Sequence, residues 1–416
     1  MDTFIKAELI SIGNELLNGI TPNTNASWLG ETLAKIGPQV NWITVIRDVP
    51  AEIEAALQTA SKRADLIIAT GGLGPTPDDL TRQAIGSFFE TELILHPEIL
   101  EKIEKIFAGR NMEMPEINRV QALVPRTAVL IENSMGTAPG FEMVKEGKVF
   151  YFLPGVPLEM KRMMEQTILG KLKERFVFRP VPEHLFRTTG IAESRVYEKI
   201  ADILNRYPEF PAAFLPKTSG IDIRLKNYIF QPEAESKFTK CIAEIRSCLD
   251  KYIFSETEES LPEVIGRLLT GKKLSLALAE SFSGGLVADW ITNIPGSSSY
   301  FAGSVVTYSN KSKIDLLKVS AQSIEQNGAV SPEVALEMVH GVRQLFHTEC
   351  ALSTTGIAGP GGATCTKPLG LCFLAAVCPD DIRVRQFNFG RDRRTNKQRG
   401  AAAALELLRR MLLHIE

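Results

Sequence analysis

No apolar run in this chain approaches the roughly eighteen residues needed to cross a bilayer. Its opening, M-D-T-F-I-K-A-E-L-I, is too short and too polar to read as a signal peptide. No membrane partner is expected. There is no basic excess either. The formal net charge is −2, with acidic and basic residues interspersed, so no field marks a general nucleic-acid binder. The one local exception is Arg391 to Arg399, with five positive residues against one negative. The six cysteines contain no C-x-x-C pair and no zinc-like spacing. Cys350, Cys372 and Cys378 lie in or beside apolar, strand-like runs, where free buried thiols are common. A reduced, cytoplasmic protein is the expectation. Internal repeats and low-complexity segments are absent too.

What remains is the composition of a soluble globular protein, 44% hydrophobic and 23% charged. At 416 residues the chain exceeds one ordinary core, and two or three domains are expected. Over the first 170 residues strand-like and helix-like patterns alternate. Ala7–Ile12, Val40–Ile46, Asp65–Thr70 and Val149–Leu153 read as strands. Asn25–Ile36, the segment opening at Pro50, and Leu80–Phe89 read as helices. Such alternation predicts a doubly wound, mostly parallel α/β sheet over residues 1–172.

Between 173 and 255 the texture changes, with Pro180, Pro182, Pro208, Pro211 and Pro216 interrupting it. Ile221–Leu225 alternates like a half-exposed strand and Glu233–Leu249 follows as a helix, so a small α+β module is expected. The acidic stretch Ser255–Ser260 reads as a linker. A second α/β domain then occupies 256–416, with strands near 274–279, 303–308, 350–354, 370–377 and 382–389 and a long closing helix over Gly400–Leu413.

Ligands of open parallel sheets bind beyond the carboxyl ends of the strands. G-N-E-L-L-N-G (13–19) with N-T-N (23–25) follows the first strand, and G-G-L-G-P-T-P-D-D-L-T (71–81) follows the third. Gly71, Gly72 and Gly74 allow close backbone approach, and the next helix offers free amides to a phosphate. Asp78, Asp79 and Glu15 supply hard oxygen ligands for a divalent ion bridging a diphosphate. Glycine turns and aspartates at helix starts also occur for capping alone.

In the last domain the apolar run Leu274 to Ala279 ends at Glu280-Ser281, followed by Ser283-Gly284-Gly285 and a helix start. Turn amides there are candidate oxyanion donors. A second strand-like run delivers Tyr308 and then Lys313. Serine, tyrosine and lysine from strand ends form a hydrolytic constellation if the fold joins them. The alternative is a helix cap beside a solvated surface pair.

Residues 279–370 resemble the C-terminal domain of the competence/damage-inducible CinA family. The matching strings are A-E-S-F-S-G-G (279–285), P-G-S-S (295–298), V-T-Y-S-N-K-S-K (306–313), G-A-V-S-P-E-V-A (328–335), T-G-I-A-G-P-G-G (355–362) and K-P-L-G (367–370). Several members deamidate nicotinamide mononucleotide. The resemblance implies Ser281 as nucleophile, Lys313 as base and Tyr308 as the residue that orients Lys313 or relays the proton. Ser283, Gly284, Gly285, Gly356, Gly359, Gly361 and Arg393 would contact substrate, without a cofactor. One departure stands out, because the family usually has Cys-Thr after the serine and this chain has Phe282-Ser283.

Residues 7–160 are similar to the molybdopterin-binding (MoaB/MogA-like) domain that opens CinA proteins. Here G-G-L-G-P-T-P-D-D-L-T is the most specific string, with F-L-P-G-V-P-L-E-M (152–160) in support. T-G-I-A-E-S (189–194) resembles the family's middle module. The resemblance implies metal-dependent cleavage of ADP-ribose by magnesium, cobalt or manganese. Asp78, Asp79 and Glu15 would take the metal, with Asn25, Thr76, Gly71, Gly72 and Gly74 on the substrate. Oligomeric state stays open in the sequence, with a two-fold homodimer as the default expectation. The open alternative is a pterin- or nucleotide-binding accessory protein of competence or DNA damage, without catalysis.

Overall fold

The computed structural model describes residues 5–177, 180–390 and 392–416. They form two compact units, up to Val181 and from Pro182 onward.

The first unit carries strands β1 (Lys6–Ile12), β2 (Gln39–Ile46), β3 (Leu66–Thr70), β4 (Leu93–Leu95), β5 (Leu123–Pro125), β6 (Val129–Ile131), β7 (Gly140–Lys145) and β8 (Lys148–Leu153). Six of them form one sheet in the order β2-β1-β3-β8-β7-β6. The first four are parallel, while β7 and β6 add antiparallel edges. Alternation along the strands explains the two-sided burial. Ala7, Leu9, Leu66 and Ile68 enter one core, and Ile10, Ile12, Ile67 and Ala69 enter the other. The sequence reading anticipated the parallel part and missed β4 to β7. Those are short or antiparallel strands with weak periodicity.

The second unit begins with β9 (Glu183–Thr189), β10 (Ala212–Lys217), β11 (Gly220–Lys226) and β12 (Ile253–Ser255) in the order β10-β11-β9-β12. Helices Glu193–Arg206 and Pro232–Leu249 cover this antiparallel sheet. Five further strands follow: β13 (Leu276–Glu280), β14 (Phe301–Val306), β15 (Cys350–Gly356), β16 (Leu371–Cys378) and β17 (Asp381–Asn388). Their order is β14-β13-β15-β16-β17, with β13 parallel to both neighbours.

Central strand β13 is buried on both faces. Leu276 and Leu278 enter the core that the helix Arg393–Leu412 also lines, and Ala277 and Ala279 enter the core under the helix Pro332–Phe346. The acidic stretch 255–260 is not a slack linker. Glu256 is held by Arg246 and His184, Glu258 by Arg224, and Glu259 by Arg267, while Ser260 makes a capping box with Glu263. Opposite charges on the flanking elements supply an anchor that composition does not reveal. No helix among the described residues is long and apolar enough to cross a membrane.

Candidate functional site

Strand β13 ends at Glu280, and the chain turns at once. The turn is possible because Gly284 and Gly285 adopt φ of 64° and 91°, a region costly for side-chain-bearing residues. Ser281 sits at its start, its amide donating to the Thr354 carbonyl of β15 at 2.9 Å. Lys313, from the helix Asn310–Leu317, comes down beside it. Its Nζ lies 3.0 Å from Ser281 Oγ and 2.7 Å from the Thr307 carbonyl. Only 2% of Lys313 is exposed, and burial lowers its pKa from 10.5 to about 8. A lysine in that range exchanges protons near neutral pH and can serve as the base for the serine.

Other expected residues stand elsewhere. Tyr308 does not orient Lys313. It is 61% exposed, and its hydroxyl accepts a 2.5 Å hydrogen bond from Arg393. The Thr307 carbonyl takes the orienting role instead, because Tyr308 lies beyond the strand end on the rim. Arg393 also donates to the Gly359 carbonyl at 2.7 Å, which joins Tyr308, Gly359 and Arg393 into one polar rim. Lys397, one helical turn on, brings its Nζ to 3.2 Å from where a Cβ on Gly284 would stand. Arg391 of the expected arginine segment lies outside the described residues. Gly356 is a packing position, since a Cβ there would meet Cys372 Cβ at 2.5 Å, whereas Gly361 borders open space.

Nor are the turn glycines the oxyanion donors. Gly284 donates its amide to the Ser281 carbonyl, and Gly285 donates to Glu280. The Ser283 hydroxyl is fully buried against Thr354 Oγ1 at 2.6 Å, so it stiffens the turn and does not face substrate. The amide of Ser283, one of the expected turn donors, and that of Phe282, which sequence reasoning did not single out, have no hydrogen-bond partner among the described residues.

In the first unit the 71–79 loop closes on itself. Asp79 accepts from the amides of Gly74 and Thr76, both at 2.8 Å, and from the Thr76 hydroxyl. It is therefore a staple of the loop, with both oxygens engaged. Arg82, buried and held near pKa 10 by desolvation, donates to the carbonyls of Leu73 and Gly74. Gly71, Gly72 and Gly74 are packing positions, with added Cβ atoms at 2.1, 2.1 and 2.4 Å from Ile12 O, Thr81 Oγ1 and Asp79 Oδ2. Asn25 donates to the Gly155 carbonyl at 2.7 Å, and its own buried Oδ1 has no partner.

Asp48, which no sequence motif marked, comes near Glu15, Asp78 and Asp79. Burial first, then these three carboxylates, push its carboxyl above the ordinary range. A pocket of about 480 Å³ opens beside the loop, lined among others by Thr76, Asp79, Gln83, Ile117 and Arg119.

Three family descriptions match in series. The probable molybdopterin binding domain covers residues 8–174, the damage-inducible protein CinA KH domain 183–255, and the CinA C-terminal domain 258–412. A relative from Caldicellulosiruptor saccharolyticus, described as competence-damage inducible, is 38% identical over 98% of this chain and 99% of its own. Another so described, from Halothermothrix orenii, is 40% identical over 98% of each chain. The chain belongs to the CinA family.

Among solved structures, a competence/damage inducible protein from Agrobacterium tumefaciens is 35% identical. It covers 37% of this chain and 94% of its own, with a TM-score of 0.36.

Phe282, the departure from the usual CinA string, does not enter the site. It is 4% exposed and lies in the hydrophobic core, where its ring tip comes within 2.1 Å of a Cβ position on Gly400. A glycine in the closing helix makes room for the larger side chain. The pairing could have been noticed in sequence only by knowing that positions 282 and 400 touch.

Proposed function

We propose that the C-terminal CinA domain hydrolyses the carboxamide of nicotinamide mononucleotide to nicotinate mononucleotide and ammonia. The contact of Ser281 Oγ with Lys313 Nζ carries this reading, because it pairs a nucleophile with a buried amine whose pKa lies near 8. Neutral Lys313 takes the serine proton as Oγ bonds to the amide carbon. It returns that proton to the departing nitrogen, and ammonia leaves an acyl-enzyme. Lys313 then draws a proton from water as that water attacks the ester, and passes it to Ser281 Oγ as the Oγ–C bond breaks and nicotinate mononucleotide leaves. Arg393 on the rim is the anchor for the substrate phosphate, as a guanidinium suits that group. The test is ammonia release from nicotinamide mononucleotide by the full chain, with and without EDTA. Release that is insensitive to EDTA and abolished in Ser281→Ala is expected; activity retained in that variant rejects the assignment.

For the first unit we infer hydrolysis of the diphosphate of ADP-ribose or a similar nucleotide, assisted by magnesium, cobalt or manganese. No group of three or more metal-ligating side chains is gathered among the described residues. The residues fit an ion completed by substrate oxygens and water, as magnesium commonly is, better than a protein-only cage. Asp48, whose carboxyl feels the charges of Glu15 and Asp78, would be the first protein ligand of such an ion, and Asp79 is already committed to the loop. When bound, the ion would neutralise charge on the diphosphate. Asp48→Asn is expected to weaken metal-dependent turnover of ADP-ribose at least tenfold with the fold unchanged. Equal turnover would remove Asp48 from the site.

A further inference from the structure

Beside the nucleophile stands a buried carboxylate that the chemistry above does not use. Glu280 is 1% exposed and has no salt-bridge partner among the described residues. Its Oε2 accepts from the amides of Gly285 at 3.0 Å and Val287 at 3.1 Å, and its Oε1 from the amide of Ala288 at 2.9 Å. The Ser304 hydroxyl adds a contact to Oε1 at 3.4 Å. One side chain thus takes up three amides at the start of the helix Leu286–Thr292, where a carboxylate is favoured, and leaves that of Leu286, the first helical residue, without a partner among the described residues. Gly284, next to them, is already tied to the Ser281 carbonyl.

The consequence lies in what stays free. Within the turn that follows Ser281, only the amides of Phe282 and Ser283 are without a partner, and both residues are buried. Buried unpaired amides are costly and rare, so a pair next to a nucleophile points to an acceptor that arrives with the substrate. The amide directly after a nucleophile is a recurrent oxyanion donor in hydrolases.

We propose that Glu280 is the positioning residue of the oxyanion hole: it ties down the amides of Gly285, Val287 and Ala288 so that those of Phe282 and Ser283 remain for the anionic oxygen formed on Ser281. The inference rests on Ser281 being the nucleophile, though not on the identity of the amide substrate. A glutamine at this position has the same shape but turns an N–H₂ group toward amides that need an acceptor, so the turn loses its pinning on one side.

A fluorophosphonate probe tests this without any nucleotide. Ser281 Oγ bonds to phosphorus, the P–F bond breaks, fluoride leaves, and the serine proton passes to Lys313, with the phosphoryl oxygen taking the oxyanion position. For Glu280→Gln in the full chain, labelling rate and kcat for nicotinamide mononucleotide are expected to fall together by about 10²-fold. KM should stay within about twofold, and the rising pH limb should keep its midpoint. A purely structural role would move KM and the melting temperature instead. Labelling within about threefold of the parent overturns the proposal. Should the variant not fold, amide hydrogen exchange on the parent chain decides. Phe282 and Ser283 should gain protection on labelling, while Gly285, Val287 and Ala288 are protected throughout. Unchanged exchange at the first two overturns it. No labelling of Ser281 in the parent removes the nucleophile and this inference with it. Labelling without deamidation removes only the substrate assignment.

Discussion

At the scale of the residue, Lys313 has the most to explain. Keeping an ammonium in a buried position disfavours the charged form, which is why its pKa lies near 8 and below the ordinary 10.5. Two consequences share that cause. The kcat/KM for deamidation should rise with pH to a plateau, with a midpoint near 8, as Lys313 loses its proton. Stability should also rise with pH between about 8 and 10.5, because there the unfolded chain holds a proton that the folded chain has released. Below pH 8 the buried charge costs on the order of 3 kcal/mol. Lys313→Met should therefore be inactive yet no less stable than the parent at pH 7, as urea titration would reveal. A large loss of stability would mean that the amine is a structural strut. Phe282 makes a second residue-scale case. Gly400→Ala places a methyl group where the ring tip lies and should cost about 1–3 kcal/mol, although alanine favours a helix. Adding Phe282→Cys should recover most of that loss, and simple additivity in a double-mutant cycle would refute the contact.

At the scale of the element, the groups of the candidate site are held by where strands stop. Strand β13 ends at Glu280, so Ser281 follows on the turn. The neighbouring strand β14 ends at Val306, so the next carbonyl, that of Thr307, meets Lys313. Strand β15 places Thr354 against both Ser281 and Ser283. The strands themselves were legible in the chain, since runs such as Leu276 to Ala279 have no other plausible state in a protein of this composition. Partnerships between the elements were not. Tyr308 and Lys313 lie five residues apart, yet one points to the rim and the other into the core, and a pattern of residue types contains no such direction. The same holds for Asp79, which reads as a metal ligand beside Asp78 and proves to be an internal loop acceptor. Two adjacent carboxylates project differently, and the loop amides claim the nearer one.

At the scale of the whole molecule, buried charge ties the middle module to the last domain within the second unit. Arg409, 1% exposed, pairs with Glu406 and donates to the carbonyls of Lys251 and Ile253. Arg409→Met should cost about 3 kcal/mol, since it removes one partner of a buried pair and leaves carbonyls without donors. Residues 182–416 should then protect less well as one block in hydrogen exchange. A loss confined to the closing helix would contradict their cooperative unfolding.

By itself the sequence determined the class of architecture, the order of the modules and the family, together with the serine and lysine of the candidate site. These depend on local periodicity, turn chemistry and short strings, which survive without coordinates. Only the tertiary structure decided which amides were free, where Phe282 went, and that Asp48 joined the carboxylates. Each of those is a contact between segments far apart in the chain. Burial and hydrogen-bond competition settle such contacts only once the strands have been laid side by side.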